Sequence, residues 1–145
     1  MTEMRRDGFS SLRGTLRLDE SDVVIGPETR RIDLLGALSP SPHLLVSNGP
    51  WRTYNLGTHS INGVSFAIRA GFQDETLCSV ELVHLVEGDD GGWDAQRENA
   101  RKRFHDDWLG RPPNSPRTVR YQWGYVDSGL DMHGGESAIT ICYQP

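Results

Sequence analysis

The chain reads as an α+β domain: a mainly antiparallel β-sheet with one principal amphipathic helix, about 93–109, packed on one face. Three observations predict it. Between residues 51 and 85 three β-like runs follow one another across turn signals, one later segment switches to a helical period, and two further β-like runs close the chain. Consecutive strands with a single helix favour a sheet of hairpins over the alternating pattern of doubly wound folds.

A chain of 145 residues lies near the common size of one globular domain, so a single domain over 1–145 is expected, with residues 1–10 a flexible N-terminus. Short strands are expected at Leu16–Leu18, Val23–Ile25 and Ile32–Leu35, with Gly26-Pro27 as a turn signal between the last two. The stretch 37–50 is punctuated by Pro40, Pro42 and Asn48-Gly49-Pro50 and reads as a loop region with one short strand, His43–Val46. Asn62-Gly63 is a favoured two-residue hairpin turn, joining a run that ends at Ile61 to Val64–Ala70. Gln73–Thr76 then turns into Leu77–Leu85. Val64, Phe66 and Ile68, then Cys78, Val80, Leu82 and His84, alternate with partly polar neighbours, as in a sheet with one face on a core.

At 100° per residue, Trp93, Ala100, Phe104 and Trp108 fall in one stripe, while Glu98, Asn99, Lys102, Arg103 and Asp106 lie off it. Asp89 or Asp90 is placed to cap this helix, Gly110 to end it in a left-handed turn, and Pro112-Pro113 to forbid its continuation. Runs at Thr118–Val126 and Ser137–Tyr143, joined by the 127–135 loop, complete the sheet.

Acidic residues outnumber Lys and Arg by 20 to 15, a balance that disfavours a surface built to hold phosphates, so no nucleic-acid partner is expected. No run of about 18 apolar residues crosses a bilayer. No apolar stretch follows Arg5-Arg6 as an export signal requires, so no membrane association and a cytoplasmic location are expected. In that compartment Cys78 and Cys142 are expected as free thiols.

Neither a GxSxG elbow nor a P-loop is present, and the histidines have no HxH or HxxxH spacing, so no catalytic residue, cofactor or metal is assigned. Six residues stand out as binding candidates. Arg97 projects into the apolar stripe, where a guanidinium either stacks on rings or awaits a ligand. Asp106 and Asp107 place negative charge in the last helical turn, where the helix dipole disfavours it. Lys102 and Arg103, four residues earlier, offset the cost, and the remaining acidity suits a basic partner surface. Trp123 belongs to a set of large rings that anchor sheets or interfaces. Asp131 and His133 lie in the 127–135 loop.

The C-terminal third, with His105-Asp106-Asp107-Trp108-Leu109, Trp123-Gly124, Asp131, Gly134 and Ile139–Tyr143, resembles small uncharacterised bacterial proteins that share an HDxWL, WG, DxxG and IxIxY pattern. Some members look like immunity or toxin-neighbour proteins. That resemblance implies protein binding. The expectation is therefore a small protein-binding domain without enzymatic activity, such as an immunity-type inhibitor. The alternative is a metal-dependent enzyme or small-ligand binder in which the helix C-terminus meets the 127–135 loop and brings together His105, Asp106, Asp131 and His133. A third outcome is a homo-oligomer formed through an uncovered edge strand.

Overall fold

The computed structural model describes residues 8–86, 91–130 and 135–144. Two antiparallel sheets and two helices build it. β1 (Phe9–Ser10), β2 (Thr15–Arg17) and β3 (Val24–Ile25) form a small sheet in that order. α1 (Arg31–Ala37) leads into β4 (His43–Asn48), β5 (Trp51–Ile61), β6 (Val64–Gln73) and β7 (Thr76–His84); α2 (Ala95–Trp108) precedes β8 (Thr118–Tyr121), β9 (Gly124–Gly129) and β10 (Ala138–Tyr143). The large sheet has seven strands in the order β4-β5-β6-β7-β10-β9-β8. The fold is α+β, with the helix on the sheet, as the sequence predicts.

The β5–β6 hairpin closes on Asn62 and Gly63, both at positive φ (52° and 81°), the geometry whose twist matches the flanking strands. Alternation then sorts the side chains. Ile68 stands opposite Leu82 and Leu82 opposite Ile139; one step along, Ala70, Val80, Ile141 and Val126 make a second buried row. Leu16, Leu18, Ile25, Leu34 and Leu38 close the same core from the small sheet and α1. The opposite face carries Thr53, Arg69, Glu81, Thr140, Asp127 and Tyr125 and is covered by no element among the described residues. One wet face is ordinary for an antiparallel sheet.

Carboxylates fasten the small sheet to the large one. Asp19 accepts the N–H groups of Asn62 and Gly63 (3.1 and 2.8 Å), and Glu20 accepts that of Ser60 (3.1 Å), which holds the Glu20 carboxyl below its ordinary range. At the far end, Tyr143 donates to the Gly14 carbonyl (2.8 Å).

Several expectations are corrected. Ile32–Leu35 is helical rather than extended. Burial of Leu34 and Leu38, one turn apart, selects the helix, and Glu75 on the β6–β7 turn takes the Ile32 N–H (2.9 Å) that the Arg30 side chain leaves uncapped. Thr118–Val126 is a hairpin, β8 and β9, turning at Gln122-Trp123 with Gly124 at φ 153°. The strand at His43–Val46 continues to Asn48. Among the described residues, regular structure begins at Phe9; residues 1–7 of the N-terminal stretch lie outside them. Asp94 caps α2, accepting from the N–H groups of Gln96 (2.8 Å) and Arg97 (3.2 Å); the expected caps Asp89 and Asp90 lie outside the described residues. Gly110 ends α2 as expected, at φ 75°, with its N–H on the Asp107 carbonyl and that of Arg111 on the Asp106 carbonyl.

The largest correction concerns the buried face of α2. Glu98, Arg101 and His105 face the sheet, while Ala100 and Trp93 are exposed and Phe104 and Trp108 are half-buried. The buried face lies about a quarter turn around the helix from the apolar stripe.

Candidate functional site

The polar face of α2 docks where β7 and β10 separate. Among the described residues the β7–β10 ladder ends at the pair Ile139 and Leu82, two residues before His84. Helix side chains replace the strand. His105 Nε2 accepts the His84 backbone N–H (3.1 Å), and Arg101 Nε donates to the His84 carbonyl (2.9 Å). Across the gap, Glu98 accepts the Ser137 backbone N–H (2.7 Å), and the Ser137 hydroxyl donates to the Glu98 carbonyl (3.1 Å). Arg101 and Glu98 pair at 2.6 Å with both side chains at 1% exposure or less. Burial pushes the His105 pKa down to about 3, with further lowering from His84 and Arg101. The ring is neutral at pH 7, and because Nε2 is an acceptor its proton sits on Nδ1. This cluster is a buried splice in the sheet.

The predicted binding residues are distributed as follows. Arg97 is mostly buried beside its own helix, donating to the Gly92 carbonyl, with Nε 3.8 Å from Glu98. Asp106 pairs with Lys102 at 2.5 Å, and Asp107 is exposed. Trp123 braces the fold: its ring lies parallel to Tyr121 at 5.2 Å, and Nε1 donates to the Ser11 carbonyl (2.7 Å). Asp131 and His133 lie outside the described residues. Of the pair His105 and Asp106, His105 is interior, with Nε2 on the His84 N–H and its buried Nδ1 without a hydrogen-bond partner among the described residues.

Two surface features remain. An open groove of about 760 Å³ runs between the β2–β3 end of the small sheet and α1, walled by Arg13, Val24, Pro27, Arg30, Asp33 and Leu34. Opposite charges share its wall, and none of its lining residues holds a buried polar atom left unbonded among the described residues. It offers a ligand no fixed polar anchor.

The other feature is the β4 edge. All six residues of His43-Leu44-Leu45-Val46-Ser47-Asn48 are exposed, and among the described residues the strand pairs only with β5. Val46 is 58% exposed and Trp51, on the adjacent strand, 51%. Because Val46 pairs with Thr53, it stands with Trp51 on the uncovered sheet face; Leu45 is the extra residue of a bulge. β4 contains no Asp, Glu, Lys or Arg. The opposite edge, β8, carries Arg120, with Arg117 just before it bound to Asp127 at 2.8 Å. Charge is a common guard against edge pairing, and β4 lacks it. The sequence reading took β4 for a minor strand in a loop. The available signal was an uncharged run of six between Pro42 and Gly49-Pro50.

Comparison with protein-family models, curated proteins and solved structures finds no match to this chain. No helix among the described residues is long and apolar enough to cross a membrane.

Proposed function

We propose that this chain is a protein-binding domain that holds its partner through the β4 edge and the adjoining uncovered sheet face. The observation that carries the reading is the exposure of an uncharged, apolar edge strand beside Trp51. Unpaired N–H and C=O groups along such an edge bind an added strand through main-chain hydrogen bonds, and alternate side chains supply selectivity. An exposed apolar strand and indole mark an interaction surface, since solvent alone gives no reason to keep them outside. The pattern resembling small uncharacterised bacterial proteins, some of which look like immunity or toxin-neighbour proteins, implies the same class of function.

The surface differs from the one that the helix C-terminus suggested. Asp106 is engaged by Lys102, leaving Asp107 as a single exposed carboxylate rather than an acidic patch. The test is paired capture from a lysate of the source cells, using the tagged chain and its Val46→Lys variant. Stoichiometric recovery of a protein by the native chain, lost with Val46→Lys and retained with Asp107→Lys, supports the reading. Recovery indifferent to Val46→Lys removes the β4 edge from it.

A further inference from the structure

We infer that the partner of the β4 edge is a second copy of this chain, joined antiparallel across a two-fold axis so that two seven-stranded sheets become one. The inference rests on the reading of β4 as the binding edge and commits it to one occupant.

Three observations favour self-pairing. First, charge: the chain carries a net −5, so copies repel in general, but β4 has no Asp, Glu, Lys or Arg and can face itself without like charges opposed. Two β8 edges would instead bring Arg120 of each copy together. Second, register: an antiparallel pair within one sheet is related by a two-fold axis normal to it, which keeps each residue on its own face. Placed at Val46, that axis sets Val46 against its own copy on the uncovered face, with Thr53 and Trp51 of each copy flanking on that face. Around that axis Leu45 stands opposite Ser47 of the other copy, and the in-register ladder is short, because the bulge at Leu45 turns Leu44 to the other face from Asn48. Third, closure: β4 on β4 is isologous and ends at two copies, whereas β4 on β8 leaves a free edge at each end and grows into a filament. The short strands β1 and β3 at the edges of the small sheet, two residues each, offer too little ladder to compete.

The experiment is sedimentation velocity over a concentration series, combined with oxidative cross-linking of Val46→Cys and of Thr118→Cys, both in a Cys78→Ser, Cys142→Ser background. Self-pairing doubles the mass of the 16.2 kDa chain as concentration rises. Val46→Lys abolishes that doubling while leaving the circular dichroism spectrum unchanged. Val46→Cys cross-links to a dimer, and Thr118→Cys does not. A dimer that survives Val46→Lys, or cross-links no better at Val46 than at Thr118, overturns the inference because it uses another surface. A native chain that stays monomeric overturns it too. If Val46→Lys then still abolishes capture of a different protein, the protein-binding reading stands with another occupant; if capture is also unaffected, both fall.

Discussion

The backbone N–H of His84, at the end of β7, is bonded to a side chain of α2: His105 Nε2 receives it at 3.1 Å. With Arg101 on the His84 carbonyl, the helix satisfies both main-chain groups of a strand residue two positions beyond the last β7–β10 pair among the described residues. Satisfying them avoids the cost of burying polar backbone unpaired, which is of order 1–3 kcal/mol per group.

Arg101→Met is expected to destabilise the fold by about 3–5 kcal/mol, since it removes the short ion pair of the buried Glu98 carboxylate, leaving Arg97 at 3.8 Å, and takes the Arg101 donor from the His84 carbonyl. Replacing Glu98 by Gln in the same chain should recover part of that loss, because the poorly compensated buried charge is then gone. Urea denaturation of both variants measures the difference. Equal midpoints for Arg101→Met and the native chain would refute the splice.

Acid should weaken the fold through His105. In the unfolded chain this imidazole protonates near its ordinary value of 6.5, while the folded one stays neutral down to about 3. Between those values the unfolded state binds the extra proton, so stability is complete above about pH 6.5 and falls as pH drops towards 3. Carboxylates contribute acid sensitivity of their own, so the discriminating measurement is the slope of stability against pH in His105→Gln. That slope should be shallower than in the native chain between pH 6.5 and 4.

Gly14 lies at φ 70°, and an added Cβ would stand 2.4 Å from the Trp123 ring. Gly14→Ala should therefore cost about 1–3 kcal/mol, from a left-handed backbone forced on alanine and a displaced indole. A shift in tryptophan fluorescence at the same time would show that the two sheets are prised apart at this joint.

Asp107 is exposed in the last turn of α2, where backbone carbonyls concentrate negative potential. Asp107→Lys should raise stability by about 0.3–1 kcal/mol at low ionic strength, and the gain should shrink with added salt. Thermal melts at two salt concentrations decide it.

The meander β5–β7 was legible because alternation, the Asn62-Gly63 turn and the Gln73–Thr76 turn all point to the same backbone. The buried face of α2 was not. Periodicity assigns apolar residues inward, but here the sheet presents backbone polar groups at His84 and Ser137 that α2 side chains bind, so charged and imidazole side chains face it. That demand belongs to the end of a strand pairing and leaves no mark in the sequence of the helix. α1 was misread for a similar reason, since its cap comes from Glu75, more than forty residues away. The β4 edge was underrated because an exposed edge has no periodic signature; its sign was the missing charge in β4.

The position of β10 has a consequence for how the molecule is made. It is the last strand in the chain order, yet it lies between β7 and β9 in the middle of the large sheet. While α2, β8 and β9 are being synthesised, β7 presents an open edge lined by Leu82 and Val80, and neither the Glu98–Ser137 half of the splice nor the contact from Tyr143 to Gly14 can form. Pairing so distant in sequence is slow to nucleate. The nascent chain therefore spends its emergence from the ribosome with its central seam unfilled, which is the interval in which a chaperone would have most to protect.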